Sequence, residues 1–203
     1  MTTLERTGDS RVADTERAIL DAALAEVTEH GIRRTSAAEI ARRSGLSRQT
    51  LYRYWPDAQA LFAALVTREL MAVIPTTEVP ERDLDAFVEA PVTTADGVRG
   101  LAIVDRLRDT DPELFARYVL ERLGASQRGI LAILTARITA AQRLGYVRRG
   151  DPAQLAAMVL LLTQAAVQAA PLVREWRDGA SWRRELGLCL RGYLASATSA
   201  ETR

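Results

Sequence analysis

The chain has 203 residues, of which 48% are hydrophobic and 26% are charged, and its formal net charge is +1. This composition is typical of a globular protein with its own hydrophobic core and argues against a disordered chain. The only cysteine, Cys189, excludes an intrachain disulfide, and the polar N-terminus lacks the apolar stretch of a secretory signal, so we expect a cytoplasmic protein without a membrane span.

The N-terminal end predicts a loose arm followed by a helix. Residues 1–13 are polar and show no periodicity, which predicts an arm. From Asp14 onward apolar side chains recur at helical spacing, and Gly31 is suited to the backbone conformation that ends a helix. His30, the only histidine, lies in the last turn of this helix, where a cation is favourable, so we interpret it as a capping residue.

The next segment has the spacing of a helix-turn-helix. Ser36-x-x-Glu39 is a capping box that begins a short helix, which ends at Ser44-Gly45. Ser47 then caps a third helix over 48–54, after a turn of about three or four residues that contains a glycine. This pattern is typical of DNA-binding domains, although a helical bundle without DNA-binding function can also contain it.

The remainder of the chain predicts further helices and no strands. Residues 75–91 contain three prolines and several acids, which predicts a linker with at most a short helix. The apolar stretch 155–173 contains three polar side chains and is interpreted as a buried helix. The fold class is therefore all-α, with about nine helices. Helices are predicted at 58–74, at 97–108, from 112 onward, at 153–174 and at 182–195.

The predicted third helix carries side chains suited to DNA. Six arginines and one acid lie between Arg33 and Tyr54, so this segment has a local charge of +5. In the first helical turn, Arg48 and Gln49 present groups that pair with guanine and adenine in the major groove. The chain contains no lysine, so part of this arginine enrichment reflects overall arginine usage.

The segment from Arg17 to Leu65 resembles the TetR/AcrR family of regulators. The matching residues are Ile19-Leu20-Asp21-Ala22-Ala23, Gly31, Thr35-Ser36-Ala37-Ala38-Glu39-Ile40-Ala41, Ser44-Gly45-Leu46-Ser47, Thr50-Leu51-Tyr52-Arg53-Tyr54-Trp55 and Leu61. The resemblance implies an N-terminal three-helix DNA-binding domain over 14–57 and a helical ligand-binding and dimerisation domain over 58–203, in which 58–74 is the connecting helix.

The resemblance also implies particular DNA contacts. In that family the positions of Gln49, Thr50, Tyr52 and Tyr54 touch DNA, and the hydroxyl at the position of Ser36 touches phosphate. The family usually has a phosphate-binding lysine where this chain has Ala58, and Arg33, Arg34, Arg42 and Arg43 are candidate substitutes. The DNA-binding residues expected from the helix and the resemblance together are Arg34, Ser36, Arg48, Gln49, Thr50, Tyr52, Arg53 and Tyr54.

The implied function is a ligand-responsive, sequence-specific DNA-binding transcription regulator. It would be a repressor that a small molecule releases from a near-palindromic operator, although activation stays open. The homodimer would form through the last two helices, and the helices between about 97 and 145 would line a pocket. Core packing explains each candidate pocket residue equally well. These candidates are Leu101, Val104, Leu107, Phe115, Tyr118, Val119, Leu134, Ile138 and Met158.

Two other functions remain open at this point. A ligand-insensitive dimeric protein would use its C-terminal half only to dimerise, whereas a helical enzyme or interaction module would make the helix-turn-helix incidental. One His and one Cys form no familiar zinc site, and the sequence shows no glycine-rich phosphate loop, so we expect neither catalysis nor a cofactor. Cys189 is interpreted as a core or interface residue, and Trp176 and Trp182 as interface residues.

Overall fold

The computed structural model describes residues 3–74, 83–110, 112–113 and 124–196. These residues contain nine α-helices and no strand beyond an isolated bridge between Val147 and Ala195, which confirms the all-α class. The helices are α1 (Thr3–His30), α2 (Ala37–Ser44), α3 (Arg48–Tyr54), α4 (Ala58–Ala72), α5 (Leu84–Arg99), α6 (Ala102–Thr110), α7 (Ala125–Leu144), α8 (Pro152–Ala169) and α9 (Gly179–Leu194).

The helices form two compact units. The first contains α1 to α3, α4 up to Glu69, and α6, whereas the second contains the end of α4, α5 and α7 to α9. Helix α6 therefore packs in the first unit, although it lies within the range that the sequence assigned to the C-terminal domain.

The first helix is longer than predicted. The sequence predicted a loose arm over 1–13, but α1 begins at Thr3. Residues 11–17 are largely exposed, so this end of α1 needs no apolar stripe and gives no periodic signal. No proline interrupts 3–13, and once a helix exists each further residue adds one backbone hydrogen bond.

The core of the first unit forms around α1. Its stripe of Ile19, Ala22, Ala23 and Val27 is buried, as the periodicity predicted. Helices α2 and α6 both contact α1. Other buried apolar side chains of this unit include Ile40, Ala41, Leu51, Trp55, Leu61, Leu65, Ile103, Val104 and Leu107.

Helix α5 replaces much of the predicted linker. It begins after Asp83, whose carboxylate accepts the backbone N–H of Ala86 at 2.8 Å, and it contains Pro91. Pro91 lacks an N–H donor, yet its ring is buried together with Phe87 and Val92, and this burial offsets the lost hydrogen bond. The prediction of a linker over 75–91 was therefore wrong for its second half, because Pro91 does not end the helix that contains it.

The predicted helix over 97–108 is two helices. Helix α5 ends at Arg99, and the N–H of Gly100 donates to the carbonyl of Asp96 at 3.1 Å. Helix α6 then begins at Ala102 and packs on α1. The glycine at position 100 marks the break, which the apolar periodicity across it concealed.

The second unit has a core formed by α5, α7, α8 and α9, and α8 is only partly covered by it. Leu155, Val159 and Val167 are buried, but Met158 and Leu161 on the opposite face are 41% and 60% exposed. Residues 152–173 are long and apolar enough to cross a membrane by length and composition, a test that core helices of soluble proteins also pass. The prediction of a helix covered on most sides was therefore wrong for the single chain.

Helix α9 also departs from the sequence analysis in two details. It begins at Gly179 rather than near Trp182, because the Asp178 carboxylate accepts the N–H of Ser181 at 2.7 Å. Cys189 is exposed and is not a core residue, because the buried positions of α9 are Trp182, Leu186, Leu190 and Leu194.

The approach of α5 to the end of α4 makes a testable prediction. A Cβ at Gly97 would lie 2.9 Å from Cβ of Val73, a distance that forces the backbone to shift. We expect Gly97→Ala to destabilise the protein by about 1–3 kcal/mol, the cost typical of overpacking. Urea or thermal denaturation of the full chain measures this change.

Gly129→Ala is the matched control, because Gly129 is also helical and its new Cβ would meet only the Met71 side chain at ordinary contact distance. We expect this variant to be neutral or more stable by up to about 1 kcal/mol through helix propensity. Equal stability of the two variants would contradict the steric argument.

Candidate nucleic-acid interface

The turn between α2 and α3 is fixed by local hydrogen bonds. The Ser36 hydroxyl accepts the N–H of Glu39 at 3.2 Å at the start of α2. Gly45 ends α2 with φ of 70°, a left-handed conformation that favours glycine. The Ser47 hydroxyl then accepts the N–H of Thr50 at 3.0 Å and caps α3. Each cap adds about 0.5–2 kcal/mol and sets where its helix begins.

Helix α3 has one buried face and one exposed face. Leu51 and Trp55 are 0% and 7% exposed, so they hold α3 against the core, as predicted. Among the predicted DNA-binding residues, Thr50 and Tyr54 are half-buried and the rest are exposed. The exposed residues are Arg34, Ser36, Arg48, Gln49, Tyr52 and Arg53.

Two predicted contacts also make interactions within the unit. The Thr50 hydroxyl lies 2.9 Å from that of Ser47 and takes part in the cap of α3. The Tyr54 ring lies 5.7 Å from the Trp55 ring, and the Arg53 guanidinium lies 5.5 Å from the centre of the Tyr54 ring. Tyr54 therefore packs at the end of α3 while remaining partly exposed.

The start of α4 holds an anion of the protein itself. The Asp57 carboxylate accepts the N–H of Ala60 at 2.7 Å, so it occupies the positive end of the helix where a phosphate could otherwise bind. Ala58, in the first turn, is exposed and offers no charge.

The arginines proposed to replace the missing lysine differ in their surroundings. Arg42 pairs with Glu39 at 2.9 Å within α2, and both side chains are largely exposed. Arg43 instead lies 2.7 Å from Glu26 and 3.0 Å from Glu29, both on α1. Arg43 is therefore engaged with α1, which makes the more exposed Arg42 the better candidate for a phosphate contact.

The cluster around Arg43 is the main feature of this unit that the sequence analysis missed. The hydrogen bond from Arg43, followed by the charge of His30, lowers the pKa of the Glu29 carboxyl. The hydrogen bonds that Arg43 donates to the carboxylates of Glu26 and Glu29 raise the pKa of Arg43. The sequence contained one signal for this cluster, because Glu26 is an acid at a position of the apolar stripe of α1.

The candidate pocket residues have mixed surroundings. Val104 and Leu107 are buried in the first unit, beside the half-exposed Leu101 on the same segment. Leu134 and Ile138 are buried in the core of the second unit, and Met158 is exposed there. Three further candidates, Phe115, Tyr118 and Val119, lie outside the described residues.

A groove of about 320 Å³ lies between α5 and α9 in the second unit. Its lining includes Asp85, Glu89, Arg183 and Arg191, and it contains no residue of the predicted pocket. Arg183 is bound there by Glu89 at 2.6 Å and by Asp96 at 3.0 Å. Within the described ranges, no cluster of three or more His, Cys, Asp or Glu side chains could hold a metal ion.

Similarity to known proteins agrees with this geometry. Residues 19–65 match the family model for bacterial regulatory proteins of the tetR family. The chain is 42% identical over 182 residues to an uncharacterized HTH-type transcriptional regulator of Mycobacterium bovis, which covers 90% of this chain and 95% of that relative.

Solved structures show the same fold at lower identity. The tetR regulator TylP of Streptomyces fradiae is 24% identical with a TM-score of 0.65, and the match covers 93% of this chain and 90% of TylP. A TetR-family regulator from Rhodococcus is 16% identical with a TM-score of 0.66, and the match covers 90% of this chain and 100% of the other.

A capped helix-turn-helix combined with a second, all-helical unit defines a helical DNA-binding transcription regulator. The chain belongs to the tetR family of bacterial regulatory proteins. Members of this family bind DNA operators, typically as dimers, and are not enzymes.

The exposed first turn of α3 makes a prediction about specificity. We expect Arg48→Ala to relax the preference at one base pair in each half-site, because Arg48 is exposed in the first turn of α3 and the first residues of such a recognition helix contact base edges. A bidentate base contact contributes about 1–3 kcal/mol of discrimination. Competition binding against single-base-pair variants of a selected operator measures the loss.

Arg42→Ala is the comparison, because it removes the same charge from α2. We expect it to weaken binding to all sequences alike and to reduce the salt dependence by about one counterion. If both variants changed base preference equally, the distinction between base and phosphate contacts would be wrong.

Proposed function

We propose that the protein is a homodimeric repressor that binds a near-palindromic operator through α3 and is released by a small molecule. The observation that carries the proposal is the two-faced α3, with Leu51 and Trp55 buried and the polar side exposed. The DNA-contacting residues that we propose are Arg34, Ser36, Arg48, Gln49, Thr50, Tyr52, Arg53 and Tyr54.

The uncovered face of α8 supports a dimer through α8 and α9. Met158, Leu161 and Ala165 follow helical spacing and are exposed, and Leu172 continues the stripe beyond the helix. Leu188 on α9 is 49% exposed. Exposed apolar stripes of this kind mark protein interfaces, and a two-fold axis would bury the same stripe on both copies. Such a dimer presents two copies of α3 to the operator. The protein would act in the cytoplasm, where bacterial DNA lies.

The position of α6 supports a ligand response. Arg106 on α6 donates from Nε to the backbone carbonyl of Thr28 at 2.8 Å, near the C-terminus of α1. Ile103 and Leu107 on α6 are buried in the same unit. A ligand that displaces α6 would therefore displace α1 as well, and it shifts DNA binding only by its differential affinity for the two arrangements.

The alternative is a ligand-insensitive dimeric DNA-binding protein. It is favoured by the burial of Val104, Leu107, Leu134 and Ile138, because side chains that fill a core do not line a cavity.

Selection from random DNA with the full chain, followed by fluorescence anisotropy, tests the proposal. We expect a two-fold symmetric sequence bound as a dimer, and lower expression of a reporter whose promoter carries it. Release of this DNA by members of a library of apolar small molecules would support the repressor with a ligand. Binding that no compound alters would favour the alternative, and selection of no sequence would contradict the proposal.

The dimer interface gives a separate prediction. Leu161→Glu places a charge in the centre of the exposed stripe of α8, where Leu161 is 60% exposed and touches little of its own chain. We expect a folded monomer that binds the operator at least about 100-fold more weakly, because burying an unpaired charge costs several kcal/mol. Sedimentation and anisotropy measure both effects.

Leu144→Glu is the control, because Leu144 is 67% exposed at the end of α7, outside the proposed interface. Its dimerisation should match that of the unchanged protein. A dimeric Leu161→Glu variant would place the interface elsewhere.

The absence of a lysine at position 58 predicts a substitution that strengthens DNA binding. We expect Ala58→Lys to raise the affinity for operator and scrambled DNA alike, because it adds one exposed positive charge at the first turn of α4. The salt dependence should increase by about one counterion. Anisotropy titrations at several salt concentrations measure it, and a gain confined to the operator would contradict a phosphate contact.

A further inference from the structure

A carboxylate lies in the buried face of α1. Glu26 is 2% exposed and occupies a position in the same stripe as Ile19, Ala23 and Val27, which are fully buried. A carboxylate at such a position is tolerated only with a strong partner, because burial removes its hydration.

Arg43 on α2 is that partner. Its Nη1 lies 2.7 Å from Oε1 of Glu26 and 3.0 Å from Oε2 of Glu29, one turn further along α1. The imidazole of His30 also lies near the cluster, with its Nε2 3.8 Å from Oε2 of Glu26. One guanidinium therefore joins the last turn of α2 to two carboxylates of α1.

The attachment lies next to the turn that leads into α3. Arg43 precedes Gly45 by two residues, and the N–H of Leu46 donates back to the carbonyl of Ala41 at 3.0 Å. Helix α3 begins at Arg48, so only a short, hydrogen-bonded turn separates Arg43 from the helix that we propose to read DNA. Arg42, the neighbouring residue, is bound within α2 to Glu39 and makes no such link to α1.

We propose that the Glu26–Arg43 ion pair positions α3, so that it determines how well the protein distinguishes its operator from other DNA. The pair fixes the rotation of α2 on α1, and the short turn transmits that rotation to α3. Both are positioning residues that act without touching DNA. Neither residue is among those that carry the family resemblance, and the inference rests on the proposed role of α3 as the reading helix.

A purely structural role predicts a different result. Replacing both members of a buried ion pair by apolar residues is often neutral for stability, whereas removing one member leaves an uncompensated buried charge. The double variant Glu26→Leu with Arg43→Ala therefore separates stability from positioning.

The experiment uses the full chain and measures the melting temperature together with the ratio of Kd for scrambled DNA to Kd for the selected operator. We expect Arg43→Ala to lower the melting temperature and the double variant to recover most of it. In both Arg43→Ala and the double variant, this ratio should fall at least about tenfold, which corresponds to about one lost base-pair contact. The control Arg42→Ala should weaken both affinities and keep the ratio.

Two single variants keep the test decisive if the double variant does not fold. Glu26→Gln retains an acceptor for Arg43 and should keep the ratio, whereas Glu26→Leu suits the apolar stripe, removes the acceptor and should lose the ratio. A well-folded Glu26→Leu or double variant with the unchanged ratio would overturn the inference alone. No preference for the operator in the unchanged protein would overturn the proposed function as well.

Discussion

The packing of the apolar stripe of α1 is the interaction on which the DNA-binding unit depends. Ile19, Ala23 and Val27 are fully buried, and both α2 and α6 contact α1. Burying such side chains contributes about 1.5–3 kcal/mol for each of the larger ones. Helices α2 and α3 have only eight and seven residues. Isolated helices of this length are unstable in water, so their stability depends on packing against α1.

The polar side of the reading helix follows from this packing. Helix α3 has only seven residues, and Leu51 and Trp55 hold one side of it inward. The caps at Ser36 and Ser47 and the left-handed Gly45 set the ends of both helices. Polar caps and apolar anchors thus fix a helix that keeps Arg48, Gln49 and Tyr52 exposed to solvent.

The second unit has the opposite property, because its most apolar helix is left half uncovered. Leu155, Val159 and Val167 of α8 fill the core, while Leu161 faces outward. An apolar surface left in water gives no stabilisation, so covering it by a second copy is the physical basis of the dimer that we propose. A dimer also doubles the base contacts, and one short helix supplies too few of them for specificity.

The sequence by itself determined the elements that depend on local signals. The helix-turn-helix followed from capping residues and from Gly45, and the inward positions of Leu51 and Trp55 followed from helical spacing. These features depend on residues within one or two turns of each other, so the pattern contains them. The class of protein and most of the candidate DNA-binding residues followed from the resemblance to the TetR/AcrR family, which the same segment carries.

Only the tertiary structure decided the features that depend on partners distant in the chain. Pro91 lies inside a helix because α5 buries it, and α6 packs with α1 across more than seventy residues, as the bond from Arg106 to Thr28 shows. Arg43 stood in the sequence only as a candidate phosphate contact, and its ion pair with Glu26 became visible only in the structure. The physical reason is that the role of a charged side chain depends on the groups that lie near it in space. Periodicity and composition do not reveal which groups these are.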